Sequence, residues 1–122
     1  PFTVWEGPVN QRATPGLASE NAELILRIAA SEEQGIFHCC AGEAIERFAL
    51  AELIANVFEL DPGLVRRESL PADDPVVRYG YRVPADTSLD AERTAARLSY
   101  TLPTVRALLE KYRKERSTGA LA

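Results

Sequence analysis

Two arginines in proline-containing loops are the residues of this 122-residue chain best suited to binding an anion. Arg12 lies in the stretch NQRATPG and Arg82 in YRVPAD. A guanidinium is planar, always charged and able to donate two parallel hydrogen bonds to a phosphate, so a pair on opposing loops can clamp a diphosphate. Arginines in such loops also serve as ordinary surface cations, and spacing alone leaves both roles open. A second group, His38-Cys39-Cys40 in GIFHCCAGE, offers imidazole and thiol chemistry. Zinc asks for four ligands at short regular spacings, and the sequence holds no other histidine or cysteine. In an extended run His38 and Cys40 point to one face and Cys39 to the other, so the three do not converge. A vicinal disulfide would need strained geometry in mid-strand. Burial of cysteine as a small hydrophobe is common, which makes this stretch the inside of a sheet. A thiol-based redox role for Cys39-Cys40 is the weaker alternative.

Other chemistries lack their residues. No serine sits in a Gly-x-Ser-x-Gly turn, and one histidine is too few to serve several candidate nucleophiles. The chain contains neither of the glycine-built cradles that hold a dinucleotide or a triphosphate, so no cofactor is expected to bind this chain by itself. Asp73, Asp74, Asp86 and Asp90 stand beside prolines or ahead of a helical pattern. That placement suits turn and capping roles better than paired acid–base catalysis.

The elements that would position these side chains follow from hydrophobic spacing. PFTVW reads as a short strand ended by Glu6-Gly7-Pro8. Leu17, Leu24, Ile25 and Ile28 recur at helical spacing, which predicts an amphipathic helix from Leu17 to about Ser31. IFHCC then predicts a strand, and Ile45 to Phe58 a second helix stopped by Asp61-Pro62-Gly63. LVRRESL predicts another strand, followed by an ordered loop whose Val76, Val77, Tyr79 and Tyr81 are too apolar for a free linker. Asp90 is placed to cap a short helix through Leu98, and Pro103 to occupy the first turn of a last helix carrying Val105, Leu108, Leu109 and Tyr112. The order predicts an α/β fold in which short parallel strands are joined by amphipathic helices. Parallel strands are usually covered on both faces, and so few helices leave part of that covering to a missing partner.

Composition sets the outer limits. A length of 122 residues suits one compact unit, with residues 1–117 as a single domain and 118–122 as a frayed tail. A hydrophobic fraction of 46% with 26% charged residues is that of a soluble globular protein, and no apolar run approaches the ~20 residues needed to cross a bilayer. A formal charge of -4 gives no general attraction to nucleic acid, and the basic segment RALLEKYRKERS interleaves its cations with Glu110 and Glu115. Neither nucleic acid nor a membrane is an expected partner. Two adjacent cysteines make no disulfide framework, and no secretory signal is visible, which favours a cytoplasmic setting. The chain starts at Pro1 and has no methionine, as expected of a fragment or a processed piece.

Three stretches taken in order, NQRATPGLASENAELI, GIFHCCAGEAIERFALAELIANVFELDP and RVPADTSLDAERTAARL, resemble the C-terminal half of extended short-chain dehydrogenase/reductases, the NAD-dependent epimerase/dehydratase superfamily. Within it they are most similar to the dTDP-4-dehydrorhamnose reductase branch. Gly16 after Pro15 and Glu46 at the opening of the second helix depart from that branch's usual threonine and serine, which leaves the sugar open. The resemblance implies a C-terminal fragment of an extended Rossmann-type reductase. It places Gln11 and Arg12 in a loop facing a nucleotide-sugar and Arg82 where its phosphates are contacted. No catalytic or cofactor-binding residue carries over, because the glycine-rich turn and the Tyr-x-x-x-Lys pair belong to the N-terminal half.

The function implied is that of the substrate-binding portion of an NAD(P)-dependent sugar-nucleotide reductase or epimerase, inactive without its N-terminal Rossmann half. NAD or NADP is then the cofactor of the complete enzyme. The alternative is a non-catalytic interaction or regulatory module of the same fold, whose partner is another protein chain.

Overall fold

The computed structural model describes residues 1–7, 11–69 and 84–119. Arg82, the Asp73-Asp74 pair and the apolar loop residues from Val76 to Tyr81 lie outside the described residues. Length alone favours one compact unit, whereas the chain gathers into two. Residues 1–13 and 45–88 make the first, and residues 14–44 and 89–122 the second.

The first unit is built on two parallel strands. β1 (Phe2–Glu6) pairs with β4 (Val65–Ser69) in the register Phe2↔Val65 to Glu6↔Ser69. A parallel pair needs a crossover, and the helix α2 (Arg47–Val57) lies on it. Val4 of β1 is buried together with Ala51, Ala55 and Val57 of α2, so one face of the strand meets one stripe of the helix. Small residues on that stripe bring helix and sheet close. Ile45 and Glu46, expected to be helical, instead form β3 and pair antiparallel with β2 (Arg12–Ala13). The helix therefore begins only at Arg47.

It also ends earlier than Asp61-Pro62-Gly63 suggests. Glu59 takes a left-handed φ of 56°, and Leu60 N donates to Ala55 O at 2.8 Å, closing the last turn. Asp61 starts the next element, a 3-10 turn at Pro62–Leu64, by accepting from Gly63 N at 2.9 Å. Outside the sheet Arg67 stacks over the Phe48 ring at 3.7 Å and pairs with Glu6.

The second unit consists of three helices and the segments between them. α1 (Ala18–Ala30) agrees with the hydrophobic spacing, Leu17 and Ser31 being its caps. α3 (Glu92–Leu98) has Ala91 at its cap position, and Asp90, one residue further out than the expected cap, accepts from Glu92 N through Oδ1 at 2.8 Å. α4 (Val105–Thr118) starts later than Pro103 suggests, because Thr104 caps it by accepting from Ala107 N. Pro103 stands before the cap, and its carbonyl accepts from Gly42 N at 3.0 Å. Leu24, Thr94, Val105 and Leu108 form the centre, with Cys40 and Ala41 also buried.

The predicted strand IFHCC is absent. Residues 36–39 are neither helix nor strand, and no strand of the second unit stands beside them among the described residues. Their β propensity is real, but a strand exists only where a neighbour completes its ladder.

Glu20 is the charged residue in this core, 7% exposed. Tyr100 Oη donates to one carboxylate oxygen and Lys111 Nζ reaches the other at 2.7 Å. Burial pushes the Glu20 carboxyl up, but the hydrogen bonds from Lys111 and Tyr100 and the charges of Lys111 and Arg27 outweigh it and hold the group below the usual range. A depressed folded value means stability present above the unfolded carboxylate range and lost as pH falls through the folded value. Glu20→Gln is therefore expected to lower stability at neutral pH and to flatten the loss as pH falls below the unfolded carboxylate range, measured by urea unfolding across pH. A wild-type slope retained in the variant would show that Glu20 is not its source.

Candidate functional site

Backbone pairing in the first unit fixes the surroundings of Gln11 and Arg12. Gln11 N and Arg12 N both donate to Ala85 O, at 2.7 and 3.1 Å, and Arg12 O accepts from Thr87 N at 2.9 Å. Residue 12 thereby sits in a parallel bridge with Asp86 on one side and opposite Glu46 on the other. Sequence reasoning puts Arg12 in a loop, but it belongs to a short strand held from both edges. The segment 84–88 is brought against it.

Charge at this point is not fully compensated. Arg27, Arg67, Arg97 and Arg106 each have a glutamate within 4 Å. Among the described residues Arg12 and Arg47 form no such pair. Asp86 turns inward on its own loop, its Oδ1 accepting from Ser88 N at 2.9 Å. The Ser88 side chain and backbone N–H hold its carboxyl below the ordinary value, with the charge of Arg12 adding a little. Asp86 and Asp90 thus do turn work, Asp90 at the start of α3.

Gln11 links Arg12 to a groove. Its carbonyl accepts from Arg47 N at 2.8 Å, and its Nε2 donates to Trp5 O at 3.4 Å. Trp5 and Arg47 are in turn two walls of an open groove of about 480 Å³ between β1 and α2, completed by Phe2, Val4, Leu50 and Ile54. Its walls are mainly apolar, with Thr3 and Arg47 as the polar residues. Such a surface accepts a flat apolar ring, and the cations beside it accept an anionic group. Sequence reasoning missed Trp5 and Arg47. The available signals were the chain's single tryptophan next to a turn and a cation opening a largely apolar helix.

His38 takes no part in this site. It belongs to the second unit, where its Nδ1 donates to Asp90 O at 2.7 Å and its backbone N–H to Thr94 Oγ1 at 3.0 Å. Cys39 and Cys40 are free thiols, the second 4% exposed. Burial, then the neighbouring Cys39 and Asp90, push the Cys40 thiol up, opposite to what a reactive thiolate needs. No cluster of metal-ligating side chains occurs among the described residues. With a thiol reagent at pH 8, Cys39 is expected to react first and Cys40 only on unfolding; equal rapid labelling of both would revive the redox reading. A second cavity of about 470 Å³, lined in part by Glu43, Asp90 and Tyr100, uses carboxylates already committed to backbone N–H groups.

No family model and no curated protein sequence matches the chain. Among solved structures it is similar to dTDP-4-dehydrorhamnose reductase from Bacillus anthracis str. Ames, determined in complex with NADP, with a TM-score of 0.68 and 14% identity. The match covers 93% of this chain and 37% of that one, so the chain spans little more than a third of its structural relative. The fold is thus mixed α/β with parallel strands and several helices, resembling a fragment of a Rossmann-like reductase. No helix among the described residues is long and apolar enough to cross a membrane.

Proposed function

We propose that this chain is the substrate-binding part of an extended short-chain reductase or epimerase that acts on a nucleotide-sugar in the cytoplasm. In this reading the chain is the C-terminal part, and an N-terminal Rossmann half brings NAD or NADP together with the proton-transferring residues. What this chain contributes is orientation of the substrate. The observation that carries the reading is the backbone junction at Gln11, which ties Arg12, in no ion pair among the described residues, to the groove of Trp5 and Arg47. Arg12 takes the diphosphate, Gln11 positions it, and the groove takes the base. Arg82, two residues before the segment bonded to Arg12, is the second member of the clamp.

Trp5 is the only tryptophan, so its fluorescence reports the groove directly. Titration with dTDP, UDP and the corresponding nucleosides is expected to change Trp5 emission saturably for the diphosphates and far more weakly for the nucleosides. Emission indifferent to all of them would overturn the assignment.

A further inference from the structure

Arg47 is a wall of the groove and also the neighbour of Arg12 in the fold. Arg12 pairs with Glu46 across the short ladder of β2 and β3, and Arg47 is the next residue, the first of α2. Cα atoms of antiparallel partners lie about 4.5–5.5 Å apart and consecutive ones about 3.8 Å, so the two arginines hang from points no more than about 9 Å from each other. Gln11 O, accepting from Arg47 N at 2.8 Å, fixes that spacing through the main chain.

Neither guanidinium has a carboxylate within 4 Å among the described residues. Scarcity is not the cause. The chain has 18 acidic residues against 14 lysines and arginines, and two carboxylates share the ladder of Arg12, Glu46 in register on one side and Asp86 in the bridge on the other. Asp86 is taken by Ser88 N, and Glu46 stands in no ion pair among the described residues. Two like charges held near each other repel, and an anion between them relieves the repulsion while accepting charge-assisted hydrogen bonds from both. A guanidinium serves one phosphate through two parallel bonds, so a pair of them matches a ligand with two phosphates. The two positions are not equivalent. Arg47 lines the groove with Trp5, Leu50 and Ile54, and Arg12 does not.

We infer that Arg47 is a second phosphate-binding residue and that the two arginines divide a nucleoside diphosphate between them. Arg47 takes the α-phosphate, next to the nucleoside in the groove, and Arg12 takes the β-phosphate, which carries the sugar. This deepens the functional reading above and rests on it, because the groove must hold the base for the two phosphates to be told apart. The division gives the ligand a direction. It runs from the groove past Arg47 to Arg12, and the sugar emerges beside the segment 84–88 that is bonded to Arg12.

Calorimetric titration of the native chain and its variants with UMP, UDP and inorganic pyrophosphate tests the division. Arg47→Ala is expected to weaken UMP and UDP at least tenfold each, since both carry the phosphate nearest the nucleoside. Arg12→Ala is expected to weaken UDP at least tenfold and UMP less than threefold. Pyrophosphate has no base, and its affinity should fall in both variants. A loss in Arg47→Ala confined to UMP and UDP would make Arg47 a wall that touches the base, and would overturn the inference. Unchanged UMP affinity in Arg47→Ala would do the same, as would an equal UMP loss in Arg12→Ala and Arg47→Ala, the mark of one undivided phosphate pocket. Arg47 is exposed, and alanine keeps the amide that donates to Gln11 O, so the variant should melt as the native chain does. Arg47→Lys keeps the charge as well and should bind UMP more tightly than Arg47→Ala; equal weakness of the two would count against a phosphate contact. A native chain that binds UDP while Arg47→Ala binds it equally well sinks this inference alone, whereas a native chain that binds neither nucleotide sinks the substrate assignment.

Discussion

Leu24→Ala is expected to cost about 2–5 kcal/mol of unfolding free energy, the range for truncating a fully enclosed leucine. Leu24 has no exposed surface at all and lies on α1 one turn from Glu20. Removing its branched end takes apolar surface out of the second unit's centre and leaves a void that Val105, Leu108 and Thr94, each already at 5% exposure or less, have little freedom to fill. Native domains have only about 5–15 kcal/mol in total, so a loss of this size moves the variant close to unfolding at ambient temperature. Urea titration followed by far-ultraviolet circular dichroism measures it, because the affected unit is mostly helix. A cost below 1 kcal/mol would show that the helices close over the gap. Ile25→Ala, one residue on and exposed, supplies the control and should be near neutral.

Arg12→Ala is expected to weaken nucleoside diphosphate binding by about 1.5–3 kcal/mol, the usual worth of a hydrogen bond to a charged group, or roughly 10- to 150-fold in Kd. The direction follows from the compensation in the native chain. Arg27, Arg67, Arg97 and Arg106 each pair with a glutamate, while Arg12 forms no such pair among the described residues and its bridge neighbour Asp86 is occupied by its own turn. Arg12 is exposed and its strand is held through backbone atoms, so the variant should fold and melt as the native chain does. Isothermal titration with dTDP or UDP gives the number. Arg12→Lys should recover only part of the loss, since an ammonium cannot donate two parallel bonds. Equal affinity in Arg12→Ala and the native chain would remove Arg12 from the site.

Local patterns in the chain were good guides where the structure they predict is completed locally. Leu17 to Ser31 announced α1 because a helix closes its own hydrogen bonds and needs only one apolar stripe. Asp90 announced the start of α3 for the same reason, as the carboxylate and the Glu92 amide are two residues apart. PFTVW and LVRRESL were legible as strands, though their pairing across more than sixty residues was not. Failures fall where a distant partner decides. IFHCC has strand composition and no neighbour to pair with. Ile45 and Glu46 left the helix because Arg12 and Ala13 took their backbone groups. Of the site, the special chemistry of Arg12 was readable from residue type and loop context. Its connection to Trp5 and Arg47 was not, because it runs through the main-chain atoms of Gln11, which leave no mark on side-chain identity.

The interleaving of the two units along the chain has a consequence for synthesis. The partner of the first strand is made sixty-three positions after it, Phe2 waiting for Val65. At ribosomal speeds of about 5–20 residues per second, the interval is on the order of 3 to 13 s. Throughout it the nascent Phe-Thr-Val-Trp stretch has no companion, while the helix born next can already coil. The strand β1 thus stays open until β4 follows it, and the second unit, whose last helix ends at Thr118, closes later still.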